Sequence, residues 1–140
     1  MQRREFITLL GGAAATWTFA VCAQQPTMPV IGFPSSARAD GFPQFTAAFL
    51  EGLSAAGFVD GKNVTIEYRR ADERLERVPA LALDLIRRRV DVLFASGGDV
   101  PILVAKGATT TIPIVFITAS DPVAMGFVAS LNRPGGNVSW

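Results

Sequence analysis

The stretch Val90-Asp91-Val92-Leu93-Phe94-Ala95 is followed by Ser96-Gly97-Gly98, and further on stands Ile112-Pro113-Ile114-Val115-Phe116-Ile117. Both outer segments are short, continuous apolar runs, the pattern of strands covered on both faces of a parallel sheet. Ser96-Gly97-Gly98 breaks the first run, and the spacing predicts a helix over about 100–107 between them. Together they read as a strand–helix–strand unit. Upstream, Pro29-Val30-Ile31-Gly32-Phe33 is a run of the same kind, and Val64-Thr65-Ile66-Glu67-Tyr68 is an alternating, β-branched strand. A first helix is expected from about Phe42 to Ala56, with Phe45, Ala48, Phe49, Gly52, Leu53 and Ala56 on one face. Gly57 and Phe58 suit its C-cap, and Asp60-Gly61-Lys62-Asn63 is turn chemistry. A second helix is expected over about Glu73–Arg89, its apolar stripe running from Leu75 through Val78, Leu81, Ala82 and Leu85 to Ile86. Pro79 belongs in its first turn or marks a kink. Arg87-Arg88-Arg89 reads as solvated cations on the negative end of the helix dipole. Pro122 suits the first position of a fourth helix running to about Leu131. Val138-Ser139-Trp140 begins a fifth strand. The order β-α-β-α-β-α-β-α plus a strand stub is that of an α/β protein with a doubly wound parallel sheet.

Composition narrows the chemistry. The chain has 140 residues, 49% hydrophobic and 18% charged, with a net charge of +1, one Cys and no His. That length is one domain with a sizeable core. Near-neutral charge argues against a general nucleic-acid or anionic-membrane binder. Without His, triads and zinc sites that depend on it are excluded.

The first residues read as an address. Met1-Gln2-Arg3-Arg4-Glu5-Phe6-Ile7 is charged, about Ile7 to Val21 is apolar and rich in Gly and Ala, and Val21-Cys22-Ala23 offers a cleavage site. Arg3-Arg4-x-Phe6-Ile7 is similar to the core of a twin-arginine signal. Residues 1–23 are therefore expected to be a leader and 24–140 the mature lobe, exported to the periplasm. A lipid anchor at Cys22 is the lesser alternative, since Val21 precedes it where Gly or Ala is usual. Cleavage after Ala23 leaves a chain with neither Cys nor His, which suits an oxidising compartment.

In a doubly wound sheet, ligands bind beyond the strand C-termini near the topological switch point. Three loops should lie there: Pro34-Ser35-Ser36, Ser96-Gly97-Gly98-Asp99 and Thr118-Ala119-Ser120-Asp121-Pro122. Small residues at helix starts leave N–H groups free for a carboxylate or phosphate, and the hydroxyls can donate to the same oxygens. The candidate ligand-binding residues are Ser35, Ser36, Ser96, Gly97, Gly98, Thr118, Ala119, Ser120 and Asp121. Gly97-Gly98 also fits a tight turn, and Asp99 and Asp121 fit helix caps better than ligand partners. Facing a cleft, either Asp would suit an ammonium group.

Gly32-Phe33-Pro34-Ser35-Ser36 stands where a dinucleotide fold would carry G-x-G-x-x-G, and no phosphate-binding P-loop is present. A receiver domain would need acids where Ser35-Ser36 and Ser96-Gly97 stand. No catalytic residue, metal or cofactor is expected, and the non-enzymatic reading leads. The rivals are a small flavodoxin-like α/β enzyme and a ligand-sensing module for a membrane regulator.

Several strings carry a family resemblance: Arg3-Arg4-Glu5-Phe6-Ile7-Thr8-Leu9-Leu10-Gly11-Gly12-Ala13-Ala14-Ala15, Ala23-Gln24-Gln25-Pro26, Pro29-Val30-Ile31-Gly32-Phe33, and Phe49-x-x-Gly52-Leu53-x-x-x-Gly57. Others are Gly61-x-Asn63-Val64-x-Ile66-Glu67-Tyr68-Arg69, Thr111-Ile112-Pro113-Ile114-Val115-Phe116, Ser120-Asp121-Pro122-Val123, and Leu131-Asn132-Arg133-Pro134-Gly135-Gly136-Asn137-Val138. The chain resembles bacterial ABC transporter substrate-binding proteins of the tryptophan/tyrosine type. The resemblance implies a type I periplasmic binding protein, two-lobed, whose first lobe is a doubly wound sheet. It also implies a small-molecule ligand, aromatic amino acids among the family's solutes, and delivery to an inner-membrane permease and ATPase. By position, the family's ligand loops match Ser35-Ser36, Ser96-Gly97-Gly98 and Thr118-Ala119-Ser120-Asp121. Relatives often carry Thr-Gly-Gly after the third and fourth strands, where this chain has Ser96-Gly97-Gly98 and Thr118-Ala119-Ser120. Family members continue into a second lobe after the fifth strand. The sequence reaches Trp140 as that strand begins, so the expectation is a first lobe alone, truncated at the fifth strand.

Overall fold

Strand β1 (Val30–Ser35) is second from the edge of a five-stranded sheet, and its alternation decides what lies on either side. Ile31 and Phe33 point to one face, and Gly32 to the other. A computed structural model describes residues 28–140, so the leader and Cys22 lie outside the described residues. The remaining elements are helix α1 (Pro43–Ala55), strand β2 (Thr65–Arg70), a 3₁₀ turn (Leu75–Arg77), helix α2 (Val78–Arg87), strand β3 (Val92–Ala95), helix α3 (Asp99–Ala108), strand β4 (Ile114–Phe116) and strand β5 (Val138–Ser139).

All strand pairs are parallel, in the order β2-β1-β3-β4-β5. From β1 the chain first steps outward to β2 through α1. It then crosses back over β1 through α2 to reach β3, and moves on through α3 to β4. Right-handed crossovers in opposite directions place α1 on one face and α2 with α3 on the other. The direction reverses between β1 and β3, which is the switch point. The expected doubly wound α/β sheet is what the chain forms.

The two faces are unequal. On the α2–α3 side, Leu85, Leu93, Ala95, Ile102, Ala105, Ile114, Phe116 and Phe127 form the larger core. Gly32 is small because α2 needs the room: a Cβ there would meet Leu93 Cδ2 at 2.9 Å and Leu85 Cδ1 at 3.2 Å. On the α1 side Ile31, Phe33, Val64 and Ile66 are joined by partly buried Phe49, Leu53, Tyr68, Val92 and Phe94. Phe49 stacks on Phe94 with ring centroids 4.3 Å apart, and Phe33 meets both rings at 5.2–5.4 Å. Helix α1 buries none of its residues fully.

Most element boundaries fall within a few residues of those expected. The end of α1 is closed by Gly57 N–H donating to Ser54 O at 3.0 Å and Phe58 N–H to Leu53 O at 2.8 Å, the paired bonds of a Schellman cap. Pro79 sits in the first turn of α2, after the 3₁₀ turn, where its missing N–H costs nothing. Arg88 is not merely solvated: it contacts Glu67 at 3.2 Å and Asp84 at 3.6 Å.

The fourth helix does not form. Residues 122–131 are turns and bends. Asp121 O accepts from Met125 N–H at 3.0 Å, giving a single helical turn, but Gly126 at φ 76° takes the chain left-handed. Phe127 then enters the core, 1% exposed, with its ring edge on Phe116 at 5.6 Å. Burial of Phe127 and Val128 together outweighs the helical start signal at Pro122.

Candidate functional site

The C-terminal ends of β1, β2, β3 and β4 open onto one pocket of about 610 Å³. Ser35, Ser96, Gly97, Gly98, Thr118 and Ala119 line it, so all three expected loops reach the same rim. Ser36, Ser120 and Asp121 stand outside the lining and hold its walls.

The switch point is tied by short polar contacts. Ser35 and Ser96 form a parallel bridge one step beyond the regular β1–β3 ladder. Ser35 Oγ accepts from Ala37 N–H at 3.2 Å, and Ser36 Oγ donates to the Gly97 carbonyl. The Ser96 hydroxyl has no hydrogen-bond partner among the described residues, although the residue is nearly buried. It is the side chain in this loop left free to bond a guest.

The β4 loop is bound to α3 through one carboxylate. Asp99 Oδ1 accepts from Thr118 Oγ1, and Asp99 Oδ2 from Ser120 Oγ, each at 2.8 Å. Thr118 Oγ1 also accepts from Ser120 N–H at 3.0 Å. Asp99 therefore neither caps α3 nor faces the cleft with a free oxygen. Gly98 is the N-cap of α3 at φ 113°, and no side chain bonds the first N–H groups of that helix. Asp121 does act as a cap: its Oδ1 accepts from Val123 N–H at 2.9 Å and Ala124 N–H at 3.2 Å, closing the turn that replaces the fourth helix.

Three features of the pocket were not read from the sequence. The first is an aromatic wall: Phe42 and Phe45 are 58% and 50% exposed, with ring centroids 5.8 Å apart, over a floor of Phe33 and Phe94. Phe45 belongs to the stripe expected to face the core, but the helix starts above the rim and turns its first turn toward the cleft. The second is strain. Phe42 is the N-cap of α1 at φ 52°, ψ 51°, a left-handed conformation that a bulky aromatic residue rarely adopts. The third is Arg70, which pairs in register with Ser35 at the end of β2. Its guanidinium lies 4.4 Å above the Tyr68 ring, a cation–π contact. Carrying the alternation of β2 two residues past Tyr68 would have placed Arg70 on the same face.

Charge in the pocket is one-sided. Arg38 and Arg70 line it, and among the described residues no acidic residue does. Arg38 is paired with Asp40 at 3.5 Å in solvent, whereas Arg70 has no ion pair among the described residues. Burial raises the Tyr68 pKa above its ordinary value, the Asp60 charge adds to this, and the Arg70 cation acts against it. Beside the site, on the sheet edge, Arg69 donates to Asp84 at 2.8 Å and Glu67 at 3.0 Å. The Arg69 guanidinium holds the Asp84 carboxyl below the usual carboxylate range.

Comparison with known proteins gives this geometry its relatives. Residues 36–139 match the family described as ABC transporter substrate binding protein. A tyrosine-binding protein of Clostridioides difficile (strain R20291) is 33% identical over 91 residues, 65% of this chain and 26% of that protein. The ligand-free, open structure of a substrate binding protein with adhesive properties from Clostridium difficile superposes with TM-score 0.72 at 30% identity, covering 79% of this chain and 37% of that one. A conserved domain protein of Vibrio cholerae gives 0.74 at 27% identity, covering 81% and 38%. A Streptococcus pneumonia ABC domain in complex with L-Trp gives 0.73 at 20% identity with the same coverage, a likeness of fold. This chain thus spans about a quarter of the curated relative and under two-fifths of each solved one. The homologues are substrate-binding proteins and not enzymes, which sets aside the flavodoxin-like enzyme that the strand order alone would allow. From fold, switch-point pocket and sequence together, the chain belongs to the ABC transporter substrate-binding protein family.

Proposed function

We propose that this chain is the solute-capturing lobe of an ABC importer's periplasmic binding component, taking a small amino-acid-like or carboxylate solute without altering it covalently. The observation that carries the reading is the single rim at which Ser35, Ser96, Gly97, Gly98, Thr118 and Ala119 meet under an aromatic wall. Free amides at the α3 start, the Ser96 hydroxyl and Arg70 suit an anionic head group, and the Phe side chains suit an apolar body. Tyrosine binding by the Clostridioides difficile relative supports an amino-acid-like guest. The partners in this reading are the inner-membrane permease and ATPase, and export uses the paired Arg3-Arg4 leader.

Two measurements test it. Titration of the purified full chain with amino acids and small carboxylates should give saturable binding and return each solute unchanged; chemical turnover of a solute would refute the reading. Cell fractionation should find the chain in the periplasm, and an Arg3→Lys/Arg4→Lys double variant should stay in the cytoplasm. Periplasmic recovery of that variant at the wild-type level would remove the twin-arginine route.

A further inference from the structure

We infer that the Asp72–Glu73 turn after β2 is a strap that sets the Gly97–Gly98 peptide plane across the rim, which makes Glu73 a positioning residue for the solute site. The inference rests on the solute-binding reading and adds a residue that acts on the site from outside it. Asp72 and Glu73 are both left-handed, at φ 53° and 65°, and neither is glycine. Residues with side chains keep that conformation only where their surroundings dictate it. Here the turn is tied down on both sides. Ala71, fully buried, donates its N–H to Ser35 O at 2.9 Å, and Glu73 N–H reaches Ser36 O at 2.7 Å. Arg74 N–H closes the turn on Ala71 O at 2.9 Å. The β1–β2 pairing thus continues past Arg70, through two left-handed residues, to grip both serines of the β1 loop.

Ser36 passes this restraint across the switch point. The residue is buried; its carbonyl accepts from Glu73 N–H, and its Oγ donates to the Gly97 carbonyl. In a planar trans peptide the C=O and the following N–H point in opposite directions. A bond that fixes Gly97 O therefore fixes where Gly98 N–H points, and Gly98 is the N-cap of α3 and lines the pocket. Two glycines at φ 86° and 113° have no side chains of their own to set this plane. The orienting contact has to come from another loop, and Ser36 supplies it. The route runs from Glu73 N–H through Ser36 C=O, Ser36 Oγ and Gly97 C=O to Gly98 N–H.

The test follows the Gly98 amide by NMR and L-tyrosine binding by titration calorimetry, both on the full chain. Glu73→Val puts a β-branched side chain at φ 65°, a conformation such a side chain resists. The Gly98 amide resonance should shift, and L-tyrosine should bind about threefold or more weakly. Glu73→Gly removes the same carboxylate but accepts the turn. It should keep both the resonance and the affinity, with Tm unchanged or raised, which separates the backbone from the charge. Ser36→Ala should reproduce the effect of Glu73→Val, and the double variant should add little to either alone. A folded Glu73→Val chain with an unmoved Gly98 resonance would overturn the inference. So would an unmoved Gly98 resonance in Ser36→Ala, losses that add in the double variant, or equal losses in Glu73→Val and Glu73→Gly. If Glu73→Val fails to fold, Ser36→Ala and Glu73→Gly decide the matter. If the wild-type chain binds no amino acid or small carboxylate, the solute-binding reading fails, and the Gly98 resonance alone decides on the strap.

Discussion

A Cβ on Gly97 would lie 2.7 Å from Ser35 Oγ, closer than real Cβ atoms come to anything. The same atom would meet Ser36 Oγ at 2.9 Å and Ala37 N at 3.0 Å. The β1 and β3 loops therefore close on each other at a position that has no side chain. Gly97 also has φ 86°, so backbone conformation and space both require glycine there.

Gly97→Ala should destabilise the chain by about 2–4 kcal/mol, the sum of left-handed strain and a clash with fixed neighbours. Gly98→Ala is the control. At φ 113° it is also strained, but nothing lies within 4 Å of its added Cβ. With ψ at −171° its backbone lies in a region essentially reserved for glycine, so the substitution should cost about 1–3 kcal/mol from strain alone. Urea unfolding of both variants checks the difference, and equal losses would mean that the contact with Ser35 is not what matters.

Asp99 holds the β4 loop to the start of α3 through both its oxygens. Asp99→Ala should cost about 1–3 kcal/mol, since two hydroxyls lose their acceptor. Asp99→Asn keeps one acceptor oxygen and should cost less. Solute affinity should fall in the same order because Thr118 lines the pocket. Thermal unfolding and calorimetry on the two variants supply the comparison.

Phe42 combines a left-handed backbone with a half-exposed ring on the pocket wall. Asn tolerates that conformation better, where a bulky residue costs about 1–2 kcal/mol. Phe42→Asn should therefore leave Tm unchanged or raised while solute binding weakens. A lower Tm together with unchanged binding would show that the ring serves the fold and not the guest.

The Arg69–Asp84 pair gives the sheet edge a pH dependence. Asp84 titrates below its unfolded value chiefly because Arg69 bonds the charged form. Its contribution is fully present above about pH 4 and is lost as pH falls through the lower folded-state value. The stability gap between wild type and Asp84→Asn should therefore be widest at neutral pH and close in acid. Urea midpoints measured from neutral to strongly acidic pH will show it. At the alkaline end, Tyr68 acts in the other direction on the scale. Its raised pKa makes its contribution complete below the unfolded value of about 10 and lost as pH rises beyond it.

The apolar runs at β1, β3 and β4 and the helical spacing between them determine the sheet, because continuous burial and a period near 3.6 are local properties of the chain. The same reading puts Ser35, Ser96, Gly97, Gly98, Thr118 and Ala119 on one rim, since parallel strands bring their C-terminal ends together. What tertiary structure alone decides is which of those groups stays free. Ser36, Ser120 and Asp99 look as available as Ser96 in the sequence, but contacts across 61, 21 and 19 residues consume them. The segment after Pro122 starts with good helix signals and is overruled by the burial of Phe127 against Phe116. Arg70 and the paired rings of Phe42 and Phe45 acquire their place only when β2 and α1 meet above the switch point. Their exposure follows from the shape of the whole layer, which no short window of residues contains.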